Sequence, residues 1–153
     1  MRVHFKVYGK AKGKERPRFN SKRGITYTPK NTINYESEIK GAYIEVSKGR
    51  NLFGDKSVLM VVVEHKSIPK NITKAKLNLI MRDELFPTTK PDYDNVAKVV
   101  SDALNGIAFK DDSQVVAFSD KVYTKSDMPY IEVFLIERTR HYKKDLINIL
   151  DYY

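Results

Sequence analysis

The 153-residue chain contains no cysteine, which excludes structural disulfides and thiolate zinc sites. Histidine is scarce: His4, His65 and His141 lie far apart and share no ligand-like spacing. No apolar run approaches the roughly eighteen residues that a membrane-spanning helix requires. The first residues, Met1-Arg-Val-His-Phe-Lys-Val7, alternate like a strand and lack the apolar block of a secretory leader. These absences lead to the expectation of a soluble cytoplasmic protein with no membrane partner. Acids are also missing where they would dilute charge. Between residues 9 and 30 the only acid is Glu15.

What is present is positive charge. Lys and Arg number 28 against 19 Asp and Glu, a formal net charge of +9. A balance this basic points to a polyanionic partner, most commonly nucleic acid, rather than to a surface made cationic only for solubility. The cations are unevenly placed. Lys10, Lys12, Lys14, Arg16, Arg18, Lys22 and Arg23 crowd the 9–30 segment, and Lys90 stands further on. About twenty residues without an obvious element is more loop than a compact domain keeps without a use. These side chains are candidate phosphate contacts, and Phe19 and Tyr27 between them are candidates for stacking on bases. A solvated loop with its aromatics folded onto the core is the plainer alternative.

The patterning predicts one domain of α/β (α+β) type, with a mixed sheet of about four or five strands and helices packed against it. Residues 2–8 alternate as a half-buried strand. Thr28 before Pro29 reads as a helix cap, and Tyr35, Ile39, Ala42, Tyr43 and Val46 follow at helical spacing up to Gly49. Residues 57–65 are apolar and β-branched enough for a central strand. A short helix is expected over 73–81, with Ala75, Leu79 and Ile80 inward. Val96, Val99, Val100, Ala103 and Leu104 mark a clear amphipathic helix over 92–105. Strands over 114–125 and 130–137, separated by a short polar turn, suggest an antiparallel hairpin. A last helix is expected over 140–151, with Leu146, Ile149 and Leu150 on one side.

Carboxylates give the chemistry. Asp94, Lys98 and Asp102 are four residues apart and share the face of the 92–105 helix opposite its apolar stripe. Asp92 is at the helix mouth, and Asp111 and Asp112 precede the next strand. Convergence of these acids would make a site for a hard divalent cation, which takes a few carboxylates and fills its other positions with water and phosphate oxygens. Spacing alone leaves a second reading open: Asp92 as a cap, Asp94-Lys98-Asp102 as a salt-bridge ladder and Asp111-Asp112 as a turn.

Pro91-Asp-Tyr-Asp-Asn-Val-Ala-Lys98, then Asp102-Ala-Leu-Asn-Gly106, then Phe109-Lys-Asp-Asp-Ser-Gln-Val115 resembles the RusA-type Holliday junction resolvases in order and spacing. Lys14-Glu-Arg-Pro-Arg-Phe19 and Tyr27-Thr-Pro29 are similar to that family's basic loop and the start of its first helix. The resemblance implies a single endonuclease domain across residues 1–153, acting as a homodimer that nicks four-way DNA junctions symmetrically with Mg²⁺, or Mn²⁺ in its place. It implies Asp92, Asp94 and Asp112 as catalytic metal ligands, with Lys98 as the assisting cation. Asp111 and Asp102 are secondary candidates. The C-terminal helix and the 57–65 strand are candidate dimer contacts.

Overall fold

The computed structural model describes residues 1–151. A four-stranded mixed sheet in the order β1-β6-β4-β5 forms the centre of a single α+β domain. β1 (Arg2–Tyr8) buries Val3, Phe5 and Val7 and exposes the residues between them, as its alternation predicts. β4 (Val58–Ser67) is the central strand, buried from Val58 to His65. β5 (Val115–Thr124) pairs with β4 in parallel, and β6 (Tyr130–Glu137) pairs antiparallel with both β4 and β1.

The hairpin expected between the last two strands is therefore absent, because β4 lies between them. Side-chain character explains the order. β6 reads Tyr-Ile-Glu-Val-Phe-Leu-Ile-Glu and is buried on both faces from Ile131 to Ile136, so it needs a neighbour on each side. β5 carries Ser119, Asp120 and Lys121, which suit an edge. The parallel β4–β5 pair then requires a crossover, and α2 (Lys74–Met81) and α3 (Tyr93–Leu104) lie within it.

One face of the sheet packs on α1 (Lys30–Ser47) and α3. Val58, Met60 and Val62 of β4 meet Tyr35, Ile39 and Tyr43 of α1 and Val96, Val99, Val100, Ala103 and Leu104 of α3. The other face carries Leu59, Val61, Val63, Phe134 and Ile136, which α4 (Tyr142–Leu150) covers through Ile149, Leu146 and Tyr142. Strand β4 is thus enclosed on every side, which removes it as a dimer contact. Pro29, rather than Thr28, occupies the cap of α1 and lends no side-chain hydrogen bond. Val46 is exposed on that helix, and Ala75 and Leu79 are exposed on α2, whose buried residue is Ile80.

The basic segment is not all loop. Strands β2 (Arg18–Asn20) and β3 (Ile25–Tyr27) form a separate antiparallel ribbon. Its turn is held by the Asn20 side chain, which accepts from the backbone N–H groups of Lys22 and Arg23 at 3.1 and 3.2 Å. Gly24 closes it at φ +63°, where a side chain would be strained. No helix among the described residues is long and apolar enough to cross a membrane.

Candidate active site and nucleic-acid interface

The first turn of α3 and the start of β5 meet side by side, because the crossover returns the chain to the edge of β4. Between them is a cleft of about 330 Å³, lined by Tyr93, Asp94, Ala97, Lys98, Ser101 and Asp102 from the helix. Asp112, Val115, Ala117 and Ser119 line it from the other side. The predicted row Asp94, Lys98 and Asp102 thus faces the predicted Asp112 across one open hollow.

Asp111 and Asp112 separate cleanly. They begin a single 3-10 turn, Asp112–Gln114, for which Asp111 is the cap. The Asp111 carboxylate accepts from the Ser113 N–H at 2.9 Å, and the Asp111 N–H donates to the Gln114 Oε1 at 2.7 Å. Hydrogen bonding to Ser113 holds the Asp111 carboxyl below its ordinary value. Asp111 is thereby committed to the turn, and its neighbour is presented to the cleft.

The plainer readings of the other acids also resolve. Asp92 occupies the N-cap position of α3 but makes no side-chain cap hydrogen bond. It stands beside the cleft-lining Tyr93 without being part of the lining itself. Among the described residues no ion pair joins Lys98 to Asp94 or Asp102, so the salt-bridge ladder is not formed. Asp102 instead pairs with Lys14 from the basic segment. Asp94 sits in the first turn of α3, where the helix dipole favours its charge.

The basic segment is rooted beside this cleft. The Lys14 N–H donates to the Asn95 carbonyl at 3.3 Å. A Cβ on Gly13 would stand 3.1 Å from that of Asn95 and 3.3 Å from that of Pro91, so the close approach depends on glycine. Of the predicted phosphate contacts, Arg18 is paired with Glu15 at 3.2 Å, and the Lys12 ammonium lies 5.4 Å from the Tyr35 ring centroid. Arg16, Lys22 and Arg23 are exposed. Lys10 and Lys90 come together in a groove of about 520 Å³ on the other side of Pro91, which Lys66 and Lys70 also line.

Lys66 and Lys121 are the residues that sequence reasoning missed. The Lys66 ammonium donates to the carbonyls of Thr89 at 3.2 Å and Lys90 at 2.5 Å. Lys121 donates to Thr89 at 3.1 Å and also to the Pro91 carbonyl. Two lysines from neighbouring strands therefore fasten the connector that delivers Asp92. Glu64, 3.3 Å from Lys66, supplies a counter-charge; burial pushes its carboxyl up, and Lys66 pulls it partly back. Chain spacing gives no signal for this clamp, since its parts come from three separate elements.

Two of the three histidines do meet, on the opposite face of the sheet. His4 and His65 approach the two oxygens of buried Glu132 at 2.6 and 3.1 Å. None of these three residues lines the cleft. Among the described residues no group of three or more His, Asp or Glu side chains is arranged so that it could hold a metal ion.

Residues 9–136 match the protein family described as Endodeoxyribonuclease RusA. The chain belongs to that family. The match takes in the basic segment, the α3 motif, the 3-10 turn and β5, so every residue that lines the cleft falls within it. The chain is also 32% identical over 140 residues to a protein of Bacillus subtilis (strain 168) named Uncharacterized protein YqaN. That similarity covers 88% of this chain and 96% of the relative. Membership of the RusA family supports an endodeoxyribonuclease of the junction-resolving type.

Proposed function

We propose that the chain is a Mg²⁺-dependent endonuclease that acts as a homodimer and resolves four-way DNA junctions by symmetric nicking. The observation that carries this reading is the cleft in which Asp94 and Lys98 of α3 face Asp112 across its width, within a RusA-family chain. Mg²⁺ is commonly held by one or two carboxylates, with water and phosphate oxygens in its other positions, so a cleft with Asp94 and Asp112 on facing walls and room between them fits it. Asp94 and Asp112 would hold the ion, joined by Asp92, whose side chain is not spent on capping. The bound ion would supply an activated water and charge neutralisation at the scissile phosphate. Mn²⁺ has the same preference for oxygen donors and is expected to substitute.

The chain's own groups do the rest. Lys98, exposed and unpaired by the neighbouring acids, offers its ammonium to a phosphate oxygen in the cleft. Lys14 neutralises Asp102, which removes one negative charge from the path of the DNA backbone. Lys10, Lys90, Arg16, Lys22 and Arg23 extend positive charge to either side, where the arms of a branched substrate would run. A junction with two equivalent strands calls for one such cleft per subunit. The exposed Val116 and Phe118 of edge strand β5 offer a second copy an apolar contact.

The test is a synthetic four-way junction, with three-way and flapped DNA alongside, with and without Mg²⁺. Paired nicks that require the ion and are lost in Asp94→Asn, with binding kept, are the expected result. Equal cleavage of the three substrates would favour a less selective branch or flap nuclease. Binding with no product under any divalent ion would leave only a non-catalytic branched-DNA-binding protein.

A further inference from the structure

The β2–β3 ribbon has more apolar surface than an isolated hairpin can afford. Five of its six strand residues are exposed, with Phe19 at 67%, Ile25 at 50% and Tyr27 at 45%. In its register Arg18 faces Tyr27, Phe19 faces Thr26 and Asn20 faces Ile25. Arg18, Asn20, Ile25 and Tyr27 therefore share one side, and Phe19 with Thr26 occupies the other. Both sides carry an uncovered aromatic ring. Two-stranded ribbons are marginal in water by themselves, so this composition makes sense only with an occupant.

Charge identifies that occupant as nucleic acid. Between residues 9 and 30 the only acid is Glu15, and it is already paired with Arg18. Lys22 and Arg23 form the tip. The root is tied to α3 through the Lys14 N–H and through the Lys14–Asp102 pair, so whatever the ribbon touches lies against the same molecule as the cleft. At the root Tyr27 and Arg18 help line an open hollow of about 320 Å³, with Glu15, Pro29, Lys30 and Asn31. Aromatic rings beside cations suit exposed nucleobases, because each base presents a π-face whatever its identity. A fully paired duplex hides those faces. A branch point can open them.

We propose that the β2–β3 ribbon is a stacking probe for unpaired bases at the centre of branched DNA, with Phe19 and Tyr27 as its aromatic faces. Lys22 and Arg23 hold the adjoining phosphates. The proposal rests on the branched-DNA reading of the cleft, but its test measures contact and affinity rather than cleavage.

A four-way junction carrying 5-iodouracil beside the crossover is irradiated with the full chain in the presence of EDTA, and the crosslinked peptide is identified. Crosslinking to the 18–27 segment is expected, with none to a linear duplex bearing the same base. Phe19→Ala with Tyr27→Ala should lose the crosslink and weaken junction binding about ten-fold, leaving duplex binding within about two-fold. Lys22→Ala with Arg23→Ala should weaken both substrates together. The proposal fails if the aromatic variant keeps its crosslink and junction preference, or weakens on duplex equally. It also fails if that variant converts a dimer to a monomer in sedimentation, or if anionic vesicles bind the parent but not the variant. Absence of Mg²⁺-dependent nicking by the parent would overturn the endonuclease reading while leaving the crosslink result standing.

Discussion

Asp111 and Asp112 adjoin in the chain, yet their oxygens meet different partners. Asp111 accepts from Ser113 and completes a reciprocal pair with Gln114, while Asp112 lines the cleft. Asp111→Ser keeps a capping oxygen and is expected to nick junctions within about three-fold of the parent, since the hydrogen bonds of Asp111 are those of the turn. Asp112→Asn is expected to lose about 10²-fold or more, the scale of removing several kcal/mol of charge stabilisation. Single-turnover rates at saturating Mg²⁺ decide between them, and equal losses would overturn the division. Glu64 gives a second prediction at this scale. Burial raises its carboxyl above the ordinary 4.5, so the folded chain holds that proton more tightly than the unfolded chain does. Its contribution to stability is therefore fully present below about pH 4.5 and is lost as pH rises through the folded value. Glu64→Gln does not titrate, so its melting temperature relative to the parent should climb between about pH 4 and pH 7. A flat or falling difference across thermal melts would show that burial is not what controls this group. Asp94, Lys98 and Asp102 were legible from helical spacing alone; the partner of Asp102 was not, because Lys14 reaches it from eighty-eight residues away in the chain.

Elements were legible in proportion to how local their signal is. The α3 stripe repeats within one helix and matches its buried residues Val96, Val99, Val100, Ala103 and Leu104. Strand pairing has no such local record. The short turn before β6 suggested a hairpin, and the decisive clue was instead the two-sided apolar character of β6 against the polar Ser119, Asp120 and Lys121 of β5. That topology is what makes the connector clamp possible. Parallel pairing of β4 with β5 sets Glu64 opposite Lys121, with Lys66 two residues on, and both ammonium groups converge on the Thr89 carbonyl. Lys66→Met with Lys121→Met keeps the aliphatic stems and frees the 89–91 carbonyls. The expected outcome is a folded protein that binds junction DNA within about three-fold of the parent but nicks it about ten-fold or more slowly, as a misplaced Asp92 would dictate. Proportional losses in binding and rate would instead assign these lysines to phosphate contact.

For the whole molecule, the formal charge of +9 states only that a polyanion is attracted; the pairing of individual cations states how strongly. Eight lysines and arginines stand as candidate phosphate contacts from the sequence. Three of them have partners already: Lys14 with Asp102, Arg18 with Glu15, and Lys12 over the Tyr35 ring. Lys10, Arg16, Lys22, Arg23 and Lys90 make no ion pair among the described residues, which leaves five to displace counterions. Each neutralised phosphate on duplex DNA steepens the fall of log affinity with log salt by about 0.9, so five contacts give a slope of about −4.5 per protomer, against about −7 for all eight. Sequence composition cannot distinguish these values, because the acids that absorb Lys14 and Arg18 become neighbours only on folding. Duplex binding measured by fluorescence anisotropy between about 50 and 200 mM salt separates them. A slope near −7 per protomer would mean that Lys14 leaves Asp102 for the DNA, and that the carboxylates of the cleft are exposed to the phosphate backbone when the substrate arrives.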